Sequence, residues 1–177
     1  MDSPDEELML AYGGGDAAAF ETLYARHRGG LFRFVLRAVK DRGVAEELFQ
    51  EVWVRVIEAR ERYAPKARFT TWLYTIAHNL LVDHWRKKGL SLAVLDEEDV
   101  PSESANPARQ AEAREALARL VQALEALPAA QREAFLLHEE GGLSVAEIAA
   151  VTGAGAEAAK SRLRYAMAKL KAAVSEN

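Results

Sequence analysis

Residues 69–88 read FTTWLYTIAHNLLVDHWRKK, and this stretch decides the fold that we expect for the rest of the chain. Its apolar side chains recur every three or four residues, which is the period of an α-helix and not of a strand. One arc of the helix is apolar, and the arc opposite to it carries aromatic and basic side chains. The apolar arc holds Trp72, Leu73, Ile76 and Leu80, and the opposite arc holds Tyr74, His78, Val82, Trp85 and Arg86.

The second arc has the chemistry of a surface for unpaired nucleic acid. Helices of small domains usually keep large aromatic rings away from solvent, yet Tyr74, His78 and Trp85 fall on the side opposite the apolar arc. Bases stack on such rings with about 1–3 kcal/mol each, and the basic residues 86–88 would attract phosphate. The alternative is that this arc packs against a neighbouring helix. The helix alone leaves both interpretations open.

The chain before residue 69 predicts three more helices. The first begins near Pro4 and ends at the three glycines 13–15, and the second starts at Asp16, a plausible N-cap. The second helix ends at about residue 30 or continues to residue 36, and the third covers about 44–62. No segment has the alternation of a strand, so we predict an all-α protein whose first domain, residues 1–88, is a helical bundle.

Residues 89–107 interrupt the helical pattern. The segment DEEDVPSESANP within it has five acidic residues, two prolines and no basic residue, which is typical of a flexible acidic linker. The remainder, residues 108–177, is predicted to form a second small helical domain. Its first helices should cover about 108–127 and 129–140, the latter opened by Pro128.

The second domain contains a predicted helix-turn-helix. Ser144 and Glu147 have the spacing of a capping box, and Gly153 is suited to end that helix in a left-handed conformation. The following helix would lie in the major groove of duplex DNA. The alternative is a plain helical hairpin with a solvated basic face. The candidate duplex contacts are Lys160, Ser161, Arg162, Arg164 and Lys169.

The composition excludes several classes of protein. The chain has no cysteine, hence no disulfide and no thiolate chemistry, and no apolar run near the roughly 20 residues of a membrane span. We therefore expect a cytoplasmic protein without membrane insertion. The four histidines are scattered and form no HExxH motif, so we predict neither an enzyme nor a cofactor. The net charge of −4 is unevenly distributed, with six acids in residues 1–21 and five bases in residues 160–171.

Taken together, these segments resemble bacterial RNA polymerase sigma factors of the extracytoplasmic-function group. ELFQEVWVRV at 47–56 is similar to the helix with which that family binds the polymerase clamp. Residues 68–88 are similar to its segment for promoter melting and −10 reading, and residues 127–163 to its −35-reading domain. The resemblance covers nearly the whole chain, and the three segments occur in the family's order.

The resemblance implies roles for individual residues. It implies that the chain contacts core RNA polymerase, at the β′ clamp helices and the β flap, and that it contacts promoter DNA. An anti-sigma factor would be a further partner. The loop 65–71 would capture an extruded base. The polymerase-binding residues would be Glu47, Gln50, Glu51 and Val54. The −10 and melting residues would be Lys66, Arg68, Thr70, Thr71, Tyr74, His78, Asn79, His84, Trp85, Arg86, Lys87 and Lys88.

Two other classes of protein remain as alternatives. A helix-turn-helix regulator would bind duplex operators without melting them, and it would require a sensor or receiver domain, of which residues 1–88 show no pattern. A purely structural helical adaptor would leave Trp85 and the basic residues 86–88 without a role.

Overall fold

A computed structural model describes residues 2–89 and 112–175 of the chain. These two ranges contain eight α-helices and no strand, which confirms the all-α prediction. The first four helices form an N-terminal bundle and the last four a C-terminal bundle. The helices are α1 (Asp5–Gly13), α2 (Ala17–Val39), α3 (Arg42–Glu58), α4 (Phe69–Lys87), α5 (Glu112–Ala126), α6 (Ala129–Glu139), α7 (Val145–Thr152) and α8 (Ala156–Ser175).

Helix α2 takes the longer of its two predicted courses and runs through Gly29 and Gly30 to Val39. Two glycines cost about 1 kcal/mol each in a helix, but burying Leu31 and Phe34 completely outweighs that cost. The Asp16 side chain accepts hydrogen bonds from the first turn, as predicted. Helix α3 begins earlier than the predicted residue 44 because Asp41 caps it, and it ends earlier, at Glu58.

The C-terminal bundle confirms the helix-turn-helix. The hydroxyl oxygen of Ser144 accepts a hydrogen bond from the Glu147 backbone N–H at 3.2 Å, and the Glu147 carboxylate accepts one from the Ser144 N–H at 3.1 Å. Gly153 ends α7 with φ of 72°. Helix α8 packs on α5, α6 and α7. Its buried side chains are Ala159, Leu163, Ala166 and Leu170, as predicted.

The two bundles pack against each other, α4 against α7 and α2 against α6. The predicted acidic linker, residues 89–107, lies outside the described residues except for Gly89, as does the start of the predicted helix at 108–127. The domain boundaries stay predictions. None of the helices in the described ranges is long and apolar enough to cross a membrane.

Candidate nucleic-acid interface

A cavity of about 390 Å³ lies where the chain passes from α3 into α4. Three residues of the predicted base-capturing loop, Lys66, Ala67 and Thr71, line it. Phe69, fully buried, packs its ring against those of Tyr63 and Trp72, and its backbone N–H donates a hydrogen bond of 2.8 Å to the Glu6 carboxylate on α1. The other polar or aromatic lining residues are Arg62, Tyr63, Trp72 and Thr75.

Sequence reasoning missed Tyr63 as a site residue. Its side chain is 9% exposed, and its hydroxyl has no hydrogen-bond partner among the described residues. Burial, followed by the negative charges of Glu6 and Asp5, raises the pKa of Tyr63 to about 12. The hydroxyl therefore stays protonated at neutral pH and can donate a hydrogen bond. The sequence did contain a signal for this role, because Tyr63 is an aromatic residue directly before the turn 64–68. It faces Trp72 across that turn.

The prediction of an exposed aromatic arc on α4 is wrong in this arrangement of the bundles. Tyr74 is 1% exposed, His78 9% and Trp85 7%. Thr71, from the predicted loop, is buried as well. The physical reason is that α4 is packed on both sides, within its own bundle on one side and against the C-terminal bundle on the other. The structure therefore agrees with the alternative interpretation, in which the second arc of α4 packs against neighbouring helices.

Three glutamates of the C-terminal bundle contact the first half of α4. They are spaced seven residues apart along the chain and contact α4 in the antiparallel direction. We call Glu133, Glu140 and Glu147 the acid row. The contacts join Thr71 to Glu147, Tyr74 to Glu140 and His78 to Glu133.

Most of the other predicted −10 residues lie at the surface. Lys66 and Arg68 in the loop are exposed, Asn79 is exposed on α4, and so are residues 86–88 at the end of that helix. Thr70 is partly buried, and its hydroxyl has no partner in the described part of the chain. The end of α4 therefore presents three exposed basic side chains.

His84 lies beside that basic end and is partly buried. Burial, together with the nearby charges of Lys88 and Lys87, lowers the pKa of His84, and Asp41 opposes this effect only in part. The imidazole is therefore neutral at pH 7. It can exchange hydrogen bonds with DNA but adds no positive charge to the surface.

None of the predicted duplex contacts belongs to the buried stripe of α8. Lys160, Arg164 and Lys169 are exposed, and Ser161 and Arg162 are partly buried. The Arg164 guanidinium lies 5.4 Å from the centroid of the Tyr165 ring, which is 53% exposed. The sequence analysis gave Tyr165 no role. A ring that stacks on an arginine restricts the directions in which the guanidinium points.

The predicted polymerase-binding residues form one exposed stripe on α3. Their spacing of three or four residues keeps them on one face of the helix. Val54 is 43% exposed at the end of the stripe, and Glu51 forms a surface ion pair of 3.3 Å with Arg55. The stripe consists of Glu47, Gln50, Glu51 and Val54.

A pH dependence of stability is expected from Glu147. Burial alone would raise the pKa of its carboxyl, but hydrogen bonds from Ser144 and Thr71 and the charge of Arg68 outweigh burial and lower the pKa below its ordinary 4.5. A lowered pKa stabilises the fold above the unfolded value and loses this contribution as the pH falls through the folded value. Glu147→Gln keeps the capping-box pattern and removes the charge.

The measurement is urea unfolding of wild type and Glu147→Gln between neutral pH and pH well below 4.5. We expect the wild type to be the more stable protein at neutral pH and the difference to shrink as the solution is acidified. A difference that stays constant or grows on acidification contradicts the prediction.

Comparison with known proteins yields two matches to family models, the model "Sigma-70 region 2" over residues 23–90 and "Sigma-70, region 4" over residues 117–170. RNA polymerase sigma factor CarQ of Myxococcus xanthus is 36% identical over 165 residues, 92% of each chain. ECF RNA polymerase sigma factor SigK of Mycobacterium tuberculosis is 30% identical, over 97% of this chain and 94% of SigK. The solved structure of CnrH in complex with the cytosolic domain of CnrY is 27% identical, covers 95% of both chains and has a TM-score of 0.68.

Proposed function

Since this chain belongs to the sigma-70 family and is a sigma factor of the extracytoplasmic-function type, which directs RNA polymerase to promoters, we propose a role in this activity for each of its three surfaces. In this proposal the start and end of α4 bind the separated −10 strand, α8 reads the −35 duplex, and α3 docks on the polymerase. The comparisons confirm the resemblance found in the sequence. The region 2 model occupies the residues where a duplex-binding regulator would need its sensor domain.

The observation that carries the −10 proposal is the cavity at the start of α4. Its volume of about 390 Å³ is large enough for one nucleobase, and Trp72 offers an aromatic wall on which a base can stack. Lys66 at the rim supplies a positive charge for phosphate, and the Tyr63 hydroxyl is a buried donor that has no partner among the described residues. Unpairing a base costs a few kcal/mol, and only a base that fits the cavity makes contacts that offset this cost.

The other two surfaces follow from exposure and charge. The exposed basic side chains of α8 suit contacts in a major groove, and Lys169 is placed to contact backbone phosphate. The α3 stripe combines acidic groups with the exposed Val54, which suits the basic clamp helices of β′, while the C-terminal bundle would meet the β flap. Because both DNA-binding surfaces belong to one chain, each raises the effective concentration of the other at the promoter.

We also propose an anti-sigma factor as a regulatory partner. CnrH, which resembles this chain over 95% of its length, has been solved in complex with the cytosolic domain of CnrY. In the proposal the protein has no catalytic chemistry of its own and requires no cofactor, because recognition and melting depend on binding energy alone.

The decisive experiment is run-off transcription from duplex promoters with core polymerase, with and without the protein. We expect initiation at promoters that core polymerase alone does not use. If core polymerase with the protein initiates nowhere that core alone fails, the proposed function is lost.

Replacing Tyr63 with phenylalanine tests the cavity. The change removes only the hydroxyl, which has no hydrogen-bond partner within residues 2–89 and 112–175, so the free energy of unfolding should not fall. One lost hydrogen bond to a captured base is worth about 1 kcal/mol, or roughly a fivefold loss of open complex on duplex promoters. We expect the loss in run-off and permanganate-footprinting assays. Tyr24→Phe, which lies outside the cavity lining, is the matched control, and equal activities of the two variants would remove Tyr63 from the site.

A further inference from the structure

We infer that helix α1 positions the cavity at the start of α4 for base capture, and that it acts through Glu6 and Gly13 at its two ends. The inference rests on the proposed capture of a base by that cavity. It goes beyond the proposal because none of the residues of α1, all of which the structure describes, lines the cavity. Glu6 and Gly13 are therefore positioning residues, and neither belongs to the surfaces proposed above.

The first contact is made at the N-terminus of α4. The N-cap residue of that helix is Arg68, whose side chain has no hydrogen-bond acceptor for the first turn. The Glu6 carboxylate supplies the acceptor instead, because the Phe69 backbone N–H donates to it at 2.8 Å. A carboxylate at this end of a helix also interacts favourably with the helix dipole. Glu6 therefore fixes the start of α4, which carries Thr71 and Trp72 into the cavity wall.

The second contact is made at the other end of α1, against the α3–α4 connection, residues 59–68. A Cβ atom at Gly13 would stand 2.4 Å from the backbone carbonyl oxygen of Arg60, a distance that real Cβ atoms essentially never show. Only glycine permits this approach. The connection continues from Arg60 to Tyr63 and Lys66, which line the cavity. Helix α1 thus contacts the connection near α3 and contacts α4 where the connection ends.

Helix α1 is itself fixed in place by α2 and by the core. Asp5 accepts a hydrogen bond of 3.0 Å from Arg26, and its other carboxylate oxygen lies 2.8 Å from His27 Nε2. Arg26 also donates a hydrogen bond of 2.7 Å to the backbone carbonyl of Ser3. Met9, in the middle of α1, is fully buried. The bundle therefore sets the position of α1, and α1 in turn holds both ends of the segment that forms the cavity.

Base capture is sensitive to small displacements of this segment. A captured base must meet the ring of Trp72 and the hydroxyl of Tyr63 together, and the two rings lie 5.0 Å apart between centroids at an angle of 71°. Hydrogen bonds weaken steeply as their geometry departs from the optimum, so a shift of about 1 Å at either end would lose the contact. A promoter that offers no base to the cavity would not be affected by such a shift.

The test compares two promoter templates, one intact and one with an abasic site. The intact template is a duplex promoter at which the run-off assay shows initiation with core polymerase and the full-length protein. Single abasic sites are scanned along its non-template −10 strand, and the site at which the wild type loses most open complex marks the captured base. A variant that is defective only in base capture should match the wild type on that abasic template.

On the intact template we expect Glu6→Ala to form about fivefold less open complex than the wild type, the loss typical of one hydrogen bond. On the abasic template the two proteins should be equal. Glu6→Gln keeps a carbonyl oxygen that can accept from the Phe69 N–H, and it should restore most of the open complex. Glu7→Ala makes the same change of charge at the exposed neighbouring position and is the matched control.

Gly13→Ala tests the other end of α1. Alanine is the better helix former, so the change is unfavourable only through its overlap with the Arg60 carbonyl. We expect a loss of open complex on the intact template and none on the abasic one. Gly14→Ala is the control, because the nearest atom to its Cβ would be 3.4 Å away. The inference is overturned if either α1 variant opens the intact template as well as its control, or if it loses equally on both templates, as a general folding defect would.

These outcomes are separable from a failure of the proposed function. If the wild type initiates but no abasic site impairs it, the proposed capture of a base is wrong. If one site does impair the wild type, and the variants Glu6→Ala and Gly13→Ala open the intact template normally, only the role of α1 is wrong.

Discussion

Replacing Phe69 with alanine is expected to lower the free energy of unfolding by about 3–5 kcal/mol and to abolish promoter opening at physiological temperature. Phe69 is fully buried at the first turn of α4. Its ring lies 5.3 Å from that of His27, 5.8 Å from that of Trp72 and 6.5 Å from that of Tyr63, measured between centroids. Truncation leaves a void beneath the two rings that line the cavity.

Urea unfolding followed by circular dichroism measures the stability loss, and two variants control for its cause. Phe69→Leu retains most of the volume and should cost less than about 1.5 kcal/mol. Phe32→Ala removes a ring that is only partly buried on α2 and should also cost clearly less. If Phe69→Ala is no more destabilising than Phe32→Ala, the ring does not support the start of α4 in the way that the packing indicates.

Reversing the charge of two residues on the α3 stripe, Glu47→Lys/Glu51→Lys, is expected to weaken binding to core polymerase by roughly thirtyfold or more. The reason is that like charges placed across an interface cost several kcal/mol, and about 2 kcal/mol already corresponds to that factor. Both side chains are exposed, so the fold should tolerate the change. The ion pair of Glu51 with Arg55 is a surface pair that contributes about 0–1 kcal/mol.

The binding loss is measured by titrating labelled protein with core polymerase and by run-off transcription at limiting protein. Glu7→Lys/Glu21→Lys makes the same change of charge at exposed positions of α1 and α2 and is the matched control. Equal losses for the α3 variant and its control would mean that net charge, and not the stripe, governs docking.

Local signals in the sequence were sufficient for most of the fold. The Asp16 cap, the Ser144–Glu147 capping box and the left-handed Gly153 are each decided by residues within a few positions of one another, and the structure has all three. The extent of α2 was ambiguous because two glycines weaken a helix locally. The choice depended on how much apolar surface residues 31–36 bury in the bundle, which propensity alone does not give.

The candidate site was less predictable, because its decisive contacts join distant parts of the chain. The second arc of α4 has the same residues whether it faces bases or a neighbouring domain, and its partner Glu140 is 66 positions away from Tyr74. Glu147 already had a local explanation as a capping residue, which hid its contact with Thr71. The spacing of seven residues between Glu133, Glu140 and Glu147 was visible, but it spans two helices and a turn, so helical periodicity did not connect them.

Glu147 has two structural roles, and this limits which substitutions the protein can accept at that position. Its carboxylate caps the start of α7 and also accepts hydrogen bonds from Thr71 and Arg68 of the N-terminal bundle. Most substitutions at this position would therefore weaken the start of α7 and the contact between the two bundles together. Glutamine alone keeps the cap while removing the charge, so it is the substitution that position 147 should accept most readily.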